Sequence, residues 1–220
     1  MVAVTDKPLV AALVGAALAL VPPAWHYSRH VVTLVHEAGH AVVALLTGRR
    51  LNAIRLHSDT SGLTISSGRP RGPGMVAMAA AGYLAPSVLG LICIGLVATD
   101  HTPLALWAGL VTLALMLLHI RNWFGLVVVA LAGAVVGLLI WRTSADVQDL
   151  AASILAWFLL VAAPRSTLDL WSHRRRSRTR TSDADLLARL THLPAGLWNV
   201  LLLVLTAAAL VLGVALLRSS

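Results

Sequence analysis

Long apolar runs separated by short polar breaks make up most of the chain. Seven of them approach or exceed the ~20 residues that a helix needs to cross a hydrocarbon core. They are Leu9–Trp25, His30–Thr47, Met75–Ala98, Pro103–Ile120, Trp123–Trp141, Val147–Ala163 and Pro194–Leu217. The pattern predicts an all-α polytopic membrane protein with about seven transmembrane helices. Trp25, Trp107, Trp123, Trp141, Trp171 and Trp198 fall near run ends, where amphipathic indoles settle at the interface. The first run follows Lys7 but lacks a clear small-residue cleavage pattern, so it reads as a retained span and not a signal peptide. One stretch breaks the helical pattern. In "LNAIRLHSDTSGLTISSG", Ile54 and Leu56 alternate with Arg55 and His57, and Leu63 and Ile65 alternate with Thr64 and Ser66. The "SDTSG" between them is turn chemistry, which predicts a small β-hairpin at 52–66, after the second span.

These elements form a single membrane domain, 1–220. It divides into an accessory first span (1–27), a core (28–163) carrying the hairpin, a basic segment (164–193) and a last span (194–220). Composition excludes a soluble domain, because 58% of residues are hydrophobic and 12% charged, against about 25% charged in soluble proteins. Cys93 is the only cysteine, so neither an intramolecular disulfide nor a Cys-rich metal site is available.

The net charge of +8 changes the picture only through its distribution. If the N-terminus, the 48–74 loop, the Arg121 turn and the 164–193 segment share one side, that side holds fourteen of the seventeen basic residues. Positive loops stay in the cytoplasm, so this arrangement predicts a cytoplasmic N-terminus and an outer C-terminus. The run His173–Arg180 then serves topology beside acidic headgroups of the lipid bilayer. Nucleic-acid binding is set aside, since the run lacks interleaved aromatics and a soluble domain to carry them.

Candidate chemistry sits in the second span. "VVTLVHEAGHAVVALLTG" places His36, Glu37 and His40 in an otherwise apolar stretch, and Glu37 is the only glutamate in the chain. Histidines at i and i+4 share a helical face and reach one metal ion. This is the HExxH spacing, in which two imidazoles hold zinc and the glutamate takes a proton from the attacking water. Given one glutamate, chance places histidines at both positions roughly once in 660, so coincidence is a poor account. An ionisable group in hydrocarbon costs a few kcal/mol on insertion scales, which argues against a packing role.

"HEAGHAVVALLTG", the hairpin, "AAGYLAPSVLG", "HIRNWFG" and "SDADLLARLTHLPAGLW" together resemble the site-2-protease family of intramembrane zinc metallopeptidases, and within it the small bacterial M50B-like branch. The resemblance runs from about residue 30 to Trp198. It implies a Zn2+ cofactor, cleavage of a substrate's transmembrane helix near the cytoplasmic side, and residence in the bacterial inner (plasma) membrane. Single-span membrane proteins, such as a tethered regulator or a signal-peptide remnant, are the implied substrates. It also assigns Gly82, Ser87 and Asn122 to the substrate-binding region. Ser87 stands where the family's Gly-Pro-x-x-Asn element has Asn.

One departure concerns the third zinc ligand. Family members supply an aspartate from an Asn-Pro-x-Asp-Gly or Leu-Asp-Gly element, and neither occurs here: the first aspartate after Asn122 is Asp146. Asp169 is the leading candidate, if Pro164 breaks the sixth span so that the chain turns inward. Asp183 and Asp185 follow, though "SDAD" also reads as a helix N-cap, and His119 comes after them. In the hairpin, Ile54, Leu56, Leu63 and Ile65 are the expected substrate contacts, with an edge strand pairing to an unwound peptide. Two rivals stand beside the peptidase. One is an inactive scaffold of the same fold. The other is a metal or proton transporter using the same three side chains as a relay. The oligomeric state is not legible in the sequence.

Overall fold

A computed structural model describes residues 7–176 and 180–219, so part of the basic run, 177–179, lies outside the described residues. Among the described residues, eight helices and one two-stranded sheet follow in the order α1 (Lys7–Leu20), α2 (Pro22–Leu46), β1 (Arg50–Leu56), β2 (Gly62–Ser67), α3 (Pro73–Ala98), α4 (Thr102–His119), α5 (Trp123–Arg142), α6 (Ala145–Arg176), α7 (Asp183–Thr191) and α8 (Ala195–Ser219). The all-α membrane architecture with a hairpin after the motif helix is the one the apolar pattern implies.

Among the described residues, five to six candidate crossings stand against about seven apolar runs. Five helices, α3 to α6 and α8, are individually long and apolar enough to span. The first two expected spans are instead two arms of a pair bent by 95°. Fourteen residues of α1 make only about 21 Å of helix, short of a ~30 Å core. Counted together, the two arms supply one further span.

The bend is held by α6. The Arg165 guanidinium donates to the Ala19 carbonyl at the end of α1 and lies 4.4 Å from the centroid of the Trp25 ring. Ser28 donates to the Leu18 carbonyl at 2.8 Å. Ala19, Trp25, Val32, Phe158, Leu159 and Ala162 form the apolar cluster that joins α1, α2 and α6. At its other end α2 stops where Gly48 takes φ 72° and Arg49 N–H returns to the Ala44 carbonyl. Glycine adopts that left-handed conformation without strain.

The hairpin pairs antiparallel, with Ile54 opposite Thr64 and Leu56 opposite Gly62. Ile54 and Leu56 enter a core with Leu34, Met116, Ile120 and Val129. The outer edge of β1 is already paired. Arg121 N–H donates to the Ile54 carbonyl at 3.0 Å, and the Asn122 amide both accepts from Leu56 N–H (3.2 Å) and donates to its carbonyl (2.6 Å). These contacts also bring the α4–α5 junction to the hairpin side of the bundle.

Pro164 does not break α6. The helix runs unbroken from Ala145 to Arg176, with Ser166 and Thr167 hydroxyls bonding the Ala162 and Ala163 carbonyls around the proline. The segment after 164 therefore does not turn inward, and Asp169 lies exposed on α6.

Candidate metal centre

Three helices converge on the motif. His36, Glu37 and His40 lie along α2, one turn from end to end. The first turns of α3 pack directly against them, because Gly39 and Gly82 have no side chains. A Cβ on Gly39 would meet the Ala81 carbonyl oxygen at 2.9 Å. A Cβ on Gly82 would stand 2.5 Å from the Nε2 atoms of both His36 and His40. The third helix is α7, seated by Leu187 in an apolar cluster with Ala79 of α3 and Leu202 of α8. That seat points the first residue of α7, Asp183, at the imidazoles.

The Asp183 Oδ2 lies 3.1 Å from His36 Nε2 and 3.4 Å from His40 Nε2, and the two Nε2 atoms are 3.0 Å apart. Among the described residues, this is the one group of three His, Cys, Asp or Glu side chains spaced to hold a metal ion. A tetrahedral ion with bonds of about 2.0–2.1 Å needs ligand atoms about 3.3 Å apart, so the donor set fits zinc. His40 Nδ1 is 2.7 Å from the Met78 carbonyl oxygen. A carbonyl only accepts, so Nδ1 carries the proton and Nε2 is left as a ligand atom. The Tyr83 ring meets His36 edge-on at 4.8 Å between centroids.

Glu37 sits beside this group and is only 3% exposed. Its cover is the hairpin. Thr64 donates to Glu37 Oε2 at 2.6 Å, and a Cβ on Gly62 would collide with the Glu37 carboxylate. Near the hairpin tip, Thr33 of α2 donates to the Thr60 carbonyl at 2.8 Å. The strand β2 thus lies along the face of α2 that carries the motif.

A family model described as Peptidase M50B-like matches residues 9–213. The chain belongs to that family. Membership makes it a member of a family of intramembrane metallopeptidases, with apolar helices to match. No curated protein and no solved structure matches the chain.

The M50B-like chain differs from its sequence reading at the third ligand. The carboxylate that meets the two imidazoles is Asp183, whereas Asp169 is exposed and outside the group. Asp185 faces away from the imidazoles and forms a capping box with Ser182. His119 bonds the Leu115 carbonyl of its own helix at 3.1 Å. Both readings of "SDAD" hold at once: a helix N-terminus is built there, and it presents Asp183.

The expected substrate contacts divide. Leu63 and Ile65 on β2 are exposed, at 49% and 37%. Ile54 and Leu56 are core residues of β1, and that strand's edge is taken by Arg121 and Asn122, so neither stands free to meet a peptide. Gly82 makes room for the imidazoles, Ser87 is buried in α3, and the Asn122 amide is spent on the hairpin backbone. Thr64, Tyr83 and the Met78 carbonyl are the contacts that sequence reasoning missed. The "GYLAPS" stretch contained Tyr83, but only the α2–α3 packing brings it to His36.

Proposed function

We propose that the protein is a zinc-dependent intramembrane endopeptidase that cleaves transmembrane segments of membrane proteins near the cytoplasmic side of the bilayer. The observation that carries this reading is the convergence of His36, His40 and Asp183 within 3.4 Å beside the buried Glu37. Those three side chains would hold the ion. Zinc bound there supplies acidity to a water molecule and polarises a carbonyl.

The rest of the chemistry belongs to the chain. Glu37 accepts the proton of the attacking water on its carboxylate and hands it to the leaving amide nitrogen. Thr64 orients that carboxylate, and the Met78 carbonyl keeps His40 in the ligating tautomer. A substrate helix hides its carbonyls and must open before one can be attacked. Among the described residues, no backbone group pairs with the outer edge of β2, so this is the strand that an unwound peptide would extend. Leu63 and Ile65 offer it apolar contacts with little sequence preference. Single-span membrane proteins are the substrates this edge suits. The bacterial inner membrane, with the arginine-rich hairpin side in the cytoplasm, is the expected location.

One observation favours a second reading, an inactive scaffold: the Glu37 carboxylate is covered by Gly62 and engaged by Thr64. Two measurements separate the possibilities. Purified protein should carry about one zinc per chain, with zinc lost in His36→Ala and Asp183→Ala and kept in Asp169→Ala and Glu37→Gln. Cleavage of a single-span reporter should fall by roughly 10²- to 10⁴-fold in Glu37→Gln. A wild type that holds no zinc after metal-replete purification overturns the peptidase. Zinc without Glu37-dependent cleavage leaves the scaffold.

A further inference from the structure

The third ligand sits on the first turn of α7, a helix that follows the long basic segment, and something must hold it against α2. Two contacts do so locally. The Ser182 N–H donates to Asp185 Oδ2 at 3.2 Å, and the Asp185 N–H donates back to Ser182 Oγ at 3.4 Å. This closes a capping box that fixes the backbone on both sides of Asp183. The box is tied in turn to α6. The Arg174 guanidinium donates to Ser182 Oγ at 3.0 Å and pairs with Asp185 Oδ1. One guanidinium nitrogen, Nη1, thus reaches both Ser182, just before the ligand, and Asp185, two residues after it. Asp185 is 5% exposed, so removing Arg174 would leave its carboxylate buried without its countercharge.

None of these side chains touches the metal group itself. We propose that Arg174 and Asp185 are positioning residues for the Asp183 ligand, setting metal affinity through the aim of α7. The proposal rests on the metal-site reading given above. Arg174 acts across the helix packing, independently of the chain segment between α6 and α7. Its effect should therefore pass through Asp183 and nowhere else, which a general staple for the fold would not do.

The test is zinc affinity in detergent, measured by competition with a chromophoric chelator, together with the visible absorption of the cobalt-substituted protein. Arg174→Ala and Asp185→Asn should each weaken zinc binding by about 10- to 100-fold, the usual cost of losing a partner that orients a ligand. Their cobalt spectra should move toward that of Asp183→Ala. Arg174→Lys keeps the charge on a smaller, more strongly hydrated head group and should fall between wild type and Arg174→Ala; it carries the test where Arg174→Ala does not fold. In an Asp183→Ala background, Arg174→Lys should cause no further loss, because the residue it positions is gone. Wild-type affinity in all three single variants overturns the proposal and leaves the metal site standing. So does an equal further loss in the Asp183→Ala background. A wild-type chain that binds no zinc overturns both.

Discussion

Glycine at position 82 decides whether the imidazoles of α2 can stand where they do. A methyl group there would lie 2.5 Å from both Nε2 atoms, the atoms that must point at the metal. Gly82→Ala is therefore expected to lower zinc affinity by at least the 10- to 100-fold typical of a disturbed ligand shell, read by the same chelator competition. Undiminished affinity would show that the rings swing aside at no cost. Gly62 acts on Glu37 in the corresponding way, but a Cβ there meets only the end of a flexible side chain. Gly62→Ala should leave zinc bound and thermal stability nearly unchanged while reporter cleavage falls about 100-fold, since a misplacement of about 1 Å costs that much. Zinc loss in Gly62→Ala would count against the separation of roles. Local spacing made His36, Glu37 and His40 legible in the sequence, because i and i+4 on a helix is a geometric statement by itself. Asp183 was not legible to the same degree. Its meeting with the imidazoles depends on how α7 seats between α3 and α8, which no local pattern encodes.

At the scale of elements, the hairpin and α7 are the two covers of the site, and they are held differently. The apolar seat of α7 is Leu187, fully buried against Ala79 and Leu202. Leu187→Ala should destabilise that docking by about 2–5 kcal/mol, seen as faster amide exchange across 183–191 and weaker zinc binding together. Exchange that rises without any change in zinc would detach the seat from the site. The hairpin tip is held by polar contacts. Asp59 accepts from the Ser61 hydroxyl at 2.7 Å and from the Ser61 N–H at 2.9 Å, and these bonds lower its pKa below the ordinary carboxylate value. A carboxyl whose folded pKa is depressed contributes stability above its unfolded value and loses it as the pH falls through the folded one. Exchange at 57–61 should therefore stay slow down to about pH 4 and rise below it, and Asp59→Asn should remove that acid step. The alternation of Ile54 and Leu56 with Arg55 and His57, and of Leu63 and Ile65 with Thr64 and Ser66, disclosed this hairpin. It could not disclose which edge stays open, because Arg121 and Asn122 reach β1 from a distant junction.

Across the whole molecule, the ion pair between Lys7 and Asp146 bears on the expected topology. Its 2.8 Å contact places the start of α1 beside the start of α6. Thirty-two residues of α6, about 48 Å of helix, then separate Lys7 from the end that carries Arg174 and the site. Counted as two crossings, α1 and α2 would set Lys7 on the hairpin side. As two arms of one bent span they bring the candidate crossings to six, which would set both termini on the side opposite the hairpin. The 48–74 loop, the Arg121 turn and the 164–193 segment still hold thirteen of the seventeen basic residues, so the hairpin side remains the expected cytoplasmic one. Single cysteines test the arrangement in a Cys93→Ala background, where no native thiol competes. An impermeant thiol reagent added to intact cells should label cysteines placed at Lys7 and Ser144, and should reach one at Ser58 only after the cells are opened. Labelling of Lys7→Cys and Ser58→Cys from the same side would restore two separate crossings for α1 and α2. It would also break the Lys7–Asp146 pair as a feature of the protein in its membrane.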